Sequence, residues 1–180
     1  MFIRVVKRCC YYVLLSLSFF SRLLRVRRIT MSLLMLAHKS QGVVFEGIPR
    51  YIHTNAYLDG LGGLFIEDDV VISTNVIILT HDYSYNVGLK ACNMVQKGDT
   101  ALLDSVRVGA GSFIGAGSII LPGSKIGKYC VVGAGSVVKG DVKDYSIVVG
   151  NPGKVIKNTI QWGESLYSNT KLTGKFIVDK

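Results

Sequence analysis

The most regular feature of the chain is a β-branched apolar residue at every sixth position between residues 108 and 143, where the sequence reads VGAGSF IGAGSI ILPGSK IGKYCV VGAGSV VKGDVK. The residues at this position are Val108, Ile114, Ile120, Ile126, Val132 and Val138. β-Branched side chains favour an extended backbone and pack well on a pleated surface, so each marks a very short strand with its side chain facing inward. Such a repeat predicts one structural unit stacked on copies of itself.

The residues between the aliphatic positions predict tight corners. The fourth residue is glycine in four of the six units, at Gly111, Gly117, Gly123 and Gly135, and the other two units have Tyr129 and Asp141. A glycine that recurs at one phase indicates positive φ, which a residue with a Cβ adopts only at a cost. Three strands and three corners complete a triangular coil, and the stacked coils form a β-helix.

The same spacing occurs earlier in the chain. Ile66, Ile72 and Ile78 are six residues apart, with Asp69 and Asn75 at the corner position. Before Ile66 the repeat is irregular, as expected of a terminal coil that caps the stack. We therefore predict an all-β domain over residues 42–157 whose core is built from these aliphatic positions.

The repeat breaks after Thr80 and resumes at about Val106. The segment 82–105, which we call the excursion, must leave the stack as a loop, and such loops commonly carry function. His81 stands at the exit, and imidazole, with an ordinary pKa of about 6.5, is suited to removing a proton from a hydroxyl near neutral pH. Of the other two histidines, we expect His53 to be structural and His38 to lie on the surface.

Positive charge is concentrated at the N-terminus. Residues 1–45 contain eight Lys and Arg and no Asp or Glu, whereas residues 46–180 contain 13 basic and 12 acidic residues. The β-helix therefore lacks the excess of positive charge that is typical of nucleic-acid-binding proteins, and we expect no nucleic-acid partner.

The uncharged stretch CCYYVLLSLSFFS, between Arg8 and Arg22, is 13 residues long, short of the ~20 residues that a membrane-spanning helix needs. We expect residues 1–41 to be helical. They either lie on the inner face of a membrane, with arginines among anionic headgroups, or pack against the β-helix. Residues 158–180 have no repeat and are expected to form a C-terminal helix or tail.

The four cysteines show neither a disulfide framework nor the CxxC spacing of metal sites. This pattern is typical of a reducing cytosol. We therefore predict a cytoplasmic protein, peripheral at the membrane if the N-terminal segment binds lipid, with no metal ligands.

The sequence of the repeat domain resembles one enzyme family. It looks like the maltose, galactoside and polysaccharide O-acetyltransferases in four pieces: Thr-His-Asp, the loop that follows, the run VRVGAGSFIGAGSIILPG and the ending YSIVVGNPGKVIK. The resemblance covers residues 42–158. It implies a left-handed parallel β-helix, a homotrimer, and acetyl-CoA as the acyl donor in a groove between adjacent subunits. It also implies that His81 is the catalytic base.

Six residues match cofactor-binding positions of that family. Two alanines match backbone contacts to the pantetheine arm, a Lys-Gly pair matches the stretch beside the adenine, and two C-terminal lysines match contacts to the CoA phosphates. In chain order these residues are Ala116, Ala134, Lys139, Gly140, Lys154 and Lys157. The family often has Thr-Lys beside the adenine, so the basic residue is displaced by one place here.

Three residues are candidates for the acceptor side. Asn55 matches a position that contacts the acceptor, and Phe113 matches an aromatic residue that shapes the acceptor or thioester end. Asp82 could orient His81 or the acceptor, although neighbouring side chains on an extended chain point to opposite sides.

The resemblance implies an O-acetyltransferase that acts on a carbohydrate hydroxyl, on a sugar or a precursor of a surface polysaccharide. Three alternatives stay open. They are N-acetylation of an amino sugar on the same fold, a metal-dependent carbonic anhydrase that binds zinc through histidines, and a non-enzymatic β-helix scaffold bound to a membrane.

Overall fold

A computed structural model describes residues 2–23, 27–94 and 101–173. The chain forms a β-solenoid of about five coils, preceded by a helical segment, and the predicted fold class of a left-handed parallel β-helix with N-terminal helices is confirmed. Each complete coil contributes one short strand to each of three parallel sheets, which are the faces of a triangular prism.

The helices and strands follow one another coil by coil. In chain order they are α1 (Phe2–Leu23), α2 (Arg27–Ser40), β1 (Val43–Phe45), β2 (Tyr51–Ile52), β3 (Tyr57–Leu58), β4 (Leu64–Ile66), β5 (Val71–Ile72), β6 (Ile77–Ile78), β7 (His81–Asp82), α3 (Tyr85–Ala91), β8 (Leu102–Leu103), β9 (Val106–Val108), β10 (Phe113–Ile114), β11 (Ile119–Ile120), β12 (Lys125–Ile126), β13 (Val131–Val132), β14 (Val137–Val138), β15 (Asp141–Val142), β16 (Ser146–Val149), β17 (Lys154–Asn158) and α4 (Thr159–Thr173).

We name the faces by the order in which a coil visits them. Face A contains β1, β4, β9, β12 and β15; face B contains β2, β5, β10, β13 and β16, with β17 added antiparallel at its end; and face C contains β3, β6, β11 and β14. Edge BC is the set of turns that lead from face B to face C. Edge CA is the set of turns that lead from face C to face A of the next coil.

The inward-facing residues form the predicted core. All nine aliphatic positions of the sequence pattern are buried, and Ile66 pairs with Val108 while Ile78 pairs with Ile120. The register is therefore kept across the excursion, so coils 2 and 3 stack directly although 27 residues, 79–105, separate their strands. Burying a large aliphatic side chain contributes on the order of 1.5 to 3 kcal/mol, which makes this column the main source of stability.

The corner glycines have the predicted backbone. Gly111, Gly117, Gly123 and Gly135 all have positive φ, and Tyr129 adopts φ 52° at the same position. In the sixth unit the predicted corner position, Asp141, is wrong. Asp141 lies in β15, and Gly140, with φ 87°, makes the turn. This tight turn shortens the path from Val138 to Val142 to four residues.

The N-terminal helices pack on each other and on the first coil. The Ser21 and Thr30 hydroxyls join α1 to α2 at 2.8 Å, and Leu34 of α2 is completely buried. The expectation that His38 lies on the surface is wrong: His38 is 1% exposed and its ring packs edge-on against Tyr11. Within the described helices, none is both long and apolar enough to cross a membrane.

Candidate functional site

His81 lies where the excursion leaves the prism. It follows the buried Thr80 on edge CA, and β7 pairs antiparallel with β8, so that His81 lies opposite Leu103. The outgoing and returning chains thus form a two-stranded ribbon at the base of the loop. This ribbon and the coil beneath it fix the backbone that carries the imidazole.

A carboxylate from the preceding coil contacts the ring of His81. Asp59 follows β3 on edge CA, and its Oδ2 atom lies 2.6 Å from Nδ1 of His81. Asp59 is 7% exposed, whereas the His81 side chain is 25% exposed. The pair therefore has a buried end at the carboxylate and a solvent-accessible end at the imidazole.

Hydrogen bonds from the surrounding chain stabilise the ionised form of Asp59. The Leu61 amide donates to Oδ1 at 3.0 Å, and the amide and hydroxyl of Thr80 donate to Oδ2 at 2.8 and 2.7 Å. Burial raises the pKa of Asp59, but the hydrogen bonds from Leu61, Thr80 and His81 outweigh it and hold the pKa below its ordinary value. A carboxylate only accepts hydrogen bonds, so the Nδ1 atom of His81 carries the proton and a neutral ring has its lone pair on Nε2.

Asp59 was not identified from the sequence. The regular units are 18 residues apart from coil to coil, whereas Leu58 pairs with Ile78 at a separation of 20, so the repeat did not place residue 59 beside residue 81. The useful signal was local: Leu58 is inward-facing, and an acidic residue directly after an inward position at a corner requires buried partners.

Asp82, a candidate for orienting His81 or the acceptor, contacts the chain that follows it. Its Oδ1 atom accepts a hydrogen bond from the Ser84 amide at 2.7 Å, and this bond is the main cause that lowers the pKa of Asp82. The charges of Lys139 and His81 contribute to the same shift. Asp82 thus shapes the start of the excursion, while Asp59 contacts the imidazole.

The described part of the excursion exposes apolar surface near His81. The Tyr83 ring packs edge-on against the imidazole, with 5.5 Å between the ring centroids. Tyr83 and Tyr85 are half exposed, Val87 is 70% exposed, and α3 has no buried residue. An apolar loop beside the imidazole is a surface that a ligand or a second chain could cover.

The other predicted site residues lie on several parts of the prism. Asn55, Ala116 and Ala134 lie on edge BC, where the Gly135 amide donates to the carbonyl of Ala116 at 2.8 Å. On edge CA, Lys139 and Gly140 lie two coils above His81. The remaining candidates are Phe113, 41% exposed on the outer side of face B, and the exposed Lys154 and Lys157 of β17. One chain therefore does not bring these residues into a single pocket.

Helix α1 borders both edges at the level of the first coil. Toward its C-terminal end it lines a cleft of about 340 Å³ that includes Leu15, Phe19 and Asn55. One to three turns earlier it lines a second cleft, of about 220 Å³, together with Gln41 and residues 57–61. We call this second cleft the α1 cleft; its lining residues are Arg8, Tyr11, Tyr12, Gln41, Tyr57, Leu58, Asp59, Gly60 and Leu61.

Comparison with known sequences identifies the repeat. The pattern of the bacterial transferase hexapeptide, in six repeats, matches residues 105–140. A probable acetyltransferase of Mycobacterium tuberculosis is 33% identical over 119 residues, which cover 66% of this chain. The same stretch covers 37% of that relative, so this chain spans little more than a third of the curated protein that it matches.

Solved structures show the same fold. A galactoside acetyltransferase in complex with coenzyme A superposes with a TM-score of 0.64 over 90% of this chain and 83% of its own, at 17% identity. A hexapeptide-repeat acetyltransferase of Vibrio cholerae with acetyl-CoA gives 0.55 over 67% and 62%, at 25% identity. An N-acyltransferase from Bacillus cereus, bound to dTDP and 3-hydroxybutyryl-CoA, gives 0.51 over 74% and 76%, at 26% identity. The predicted resemblance to hexapeptide-repeat acetyltransferases is confirmed.

Proposed function

This chain carries the hexapeptide repeat of the bacterial transferases on a left-handed β-helix, and we propose that it transfers the acetyl group of acetyl-CoA to a hydroxyl of a carbohydrate. The observation that carries the proposal is the Asp59–His81 pair at the mouth of the excursion. Relatives of the same fold bind coenzyme A and acetyl-CoA, which supports the choice of acyl donor.

His81 acts as the general base in this reaction. Its Nε2 atom accepts the proton of the acceptor hydroxyl while that oxygen attacks the thioester carbonyl. The resulting imidazolium, stabilised by Asp59, returns the proton to the departing CoA sulfur as the tetrahedral intermediate collapses. A positioned base of this kind accelerates a reaction by roughly 10² to 10⁴.

Small residues on edge BC fit the predicted contacts with the donor. A Cβ added at Gly117 or Gly135 would meet nothing within 4 Å, so the backbone beside Ala116 and Ala134 is open to a ligand. In our proposal the pantetheine arm follows this edge, with Phe113 near the thioester end. Lys139 and Gly140 contact the adenine end, and Lys154 and Lys157 contact the phosphates.

We propose that the active enzyme is a homotrimer. Edges BC and CA are opposite borders of face C within one chain. His81, on edge CA, and the small residues of edge BC therefore belong to one site only if a second copy supplies one of them. Asn55 would contact the acceptor from edge BC. Sedimentation of the purified chain tests the assembly, and a monomer that is fully active would contradict it.

Turnover against a panel of acceptors tests the function. Release of free CoA from acetyl-CoA is measured with neutral sugars, sugar phosphates, uronic acids and amino sugars, for the natural chain and for His81→Ala. We expect one acceptor class to give turnover that falls by roughly 10² or more in the variant. Equal turnover of the two chains would overturn the role of His81.

Amine acetylation is the second candidate, because a relative of the same fold is an N-acyltransferase. A neutral amine with a free lone pair needs less help from a base than a hydroxyl does. Turnover that is confined to amino sugars in the same panel would select this reaction.

We also propose that α1 contacts an anionic membrane surface, which would place the protein at the inner face of the membrane. Val6, Val13, Leu17 and Phe20 share one side of α1 and are 49 to 59% exposed, and residues 1–45 contain no acidic residue. Co-sedimentation with anionic vesicles tests this contact. Binding that is unchanged in a Val13→Asp, Phe20→Asp variant would contradict it.

A further inference from the structure

The α1 cleft lies beside the Asp59–His81 pair, and the reaction described above uses none of its other residues. Asp59 itself lines the cleft, together with the corner residues that follow it on edge CA. The opposite wall is a single face of α1, because Arg8, Tyr11 and Tyr12 are three to four residues apart or adjacent on one helix. A ligand in this cleft would therefore lie next to the residue that contacts the imidazole.

The cleft contains one positive charge, Arg8, which forms no ion pair with the carboxylate of Asp59 on the other wall. Arg8 is exposed, residues 1–45 contain no acidic side chain, and none of the ion pairs within the described ranges involves Arg8. Asp59 does not neutralise it by direct contact, since its carboxylate oxygens already accept hydrogen bonds from Leu61, Thr80 and His81. A guanidinium without a protein partner is suited to bind a carboxylate or phosphate through two parallel hydrogen bonds.

Three phenol rings complete the cleft. Tyr11, Tyr12 and Tyr57 all line the cleft, and the ring centroids of Tyr11 and Tyr12 lie 5.4 Å apart. Burial raises the pKa of Tyr11, and the neighbouring Tyr12 and Tyr57 raise it further. Tyr12 and Tyr57 are 62% and 53% exposed, so their rings and hydroxyls are open to a ligand. Aromatic faces with hydroxyl donors are a surface on which a sugar ring can pack.

We propose that the α1 cleft binds the acceptor and that Arg8 recognises an oxyanion, a phosphate or a carboxylate, carried by the acceptor sugar. The inference rests on the proposed function and deepens it, since it defines the acceptor as an anionic sugar. The tyrosines contact the ring of that sugar.

Equilibrium binding tests the site without requiring catalysis. Glucose 1-phosphate, glucuronate, glucose and inorganic phosphate are titrated by calorimetry into the full chain and into Arg8→Gln. Lys7→Gln is the matched control, because it removes one charge from the same helical turn but lies outside the cleft. Thermal unfolding of each variant verifies that the fold is kept. We expect at least one sugar anion to bind more tightly than glucose and to lose roughly tenfold or more in affinity in Arg8→Gln alone.

The pattern of binding identifies the anion. Selective loss for glucose 1-phosphate indicates a phosphate, and selective loss for glucuronate indicates a carboxylate. Binding of neither sugar anion, binding of inorganic phosphate as tight as that of the sugar phosphate, or equal losses in the two variants would overturn the inference.

Parallel assays of acetyl transfer separate this inference from the proposed function. Arg8-dependent binding without any acetyl transfer would contradict the proposed function but support the α1 cleft as a binding site for sugar anions. Transfer to neutral and anionic sugars with equal kcat/KM, in the natural chain and in Arg8→Gln alike, would support acetyl transfer but overturn recognition of the acceptor by Arg8.

Discussion

The Nδ1 atom of His81 lies 2.6 Å from Oδ2 of Asp59, although the two residues belong to successive coils. The contact fixes the tautomer of the imidazole, because an ionised carboxylate accepts a hydrogen bond from Nδ1–H and leaves Nε2 as the basic atom. The partner that orients the ring thus comes from the irregular first coil, and the ring itself lies where the stack is interrupted.

We expect Asp59→Asn to lower kcat by roughly 10² or more, since the amide neither stabilises the imidazolium nor fixes the tautomer. The KM for acetyl-CoA should change little, because the carboxylate of Asp59 is bonded to Leu61, Thr80 and His81 and is not among the predicted donor contacts. Asp144→Asn, on a distant corner, serves as the control for loss of one acidic charge. Steady-state kinetics distinguish the two, and a variant that loses stability but keeps its kcat would show that Asp59 is only structural.

The lysines of β17 make a separable test of donor binding. Lys154 and Lys157 are exposed at the end of face B, as point charges that can approach phosphates. Lys154→Ala combined with Lys157→Ala should raise the KM for acetyl-CoA about tenfold and raise that for the 3′-dephosphorylated donor much less. Lys143→Ala is the control. Equal effects on the two donors would show that these lysines do not contact the 3′-phosphate.

The regular part of the fold could be predicted because the repeat determines burial and backbone together. Ile126 faces the core and Lys125, its neighbour in the same strand, faces solvent, as the spacing requires. The irregular parts could not be predicted in the same way. Asp59 lies in a coil with extra residues, and the buried position of His38 depends on how two helices pack, which no periodicity encodes.

Two corner glycines allow backbone strain and steric clash to be separated. Gly111 and Gly117 have nearly equal φ, 68° and 66°. A Cβ on Gly111 would lie 2.6 Å from the Tyr129 ring, whereas a Cβ on Gly117 would meet nothing within 4 Å. We expect Gly117→Ala to cost about 1 to 2 kcal/mol from positive φ alone and Gly111→Ala to cost more. Urea unfolding measures both, and equal losses would show that Tyr129 moves aside freely.

His38 makes the stability of the fold depend on pH. Both ring nitrogens are buried and no hydrogen-bond partner reaches them in the described residues, and burial lowers the pKa of His38 from 6.5 to about 4. Between about pH 6.5 and about pH 4, His38 is therefore protonated in the unfolded chain but neutral in the folded chain. Stability is unaffected by His38 above pH 6.5 and falls as the pH drops through this window, by about 2 kcal/mol at pH 5.

Replacing His38 with Leu should remove this dependence, because leucine fills a similar volume and cannot be protonated. We expect the free energy of unfolding of the variant to change less between pH 7.5 and pH 5 than that of the natural chain, by about 2 kcal/mol. Lys39→Leu, which changes the exposed neighbour, should keep the natural pH dependence. If all three chains lose the same stability between these pH values, the imidazole of His38 finds a partner or reaches solvent on protonation, and the N-terminal helices tolerate its charge.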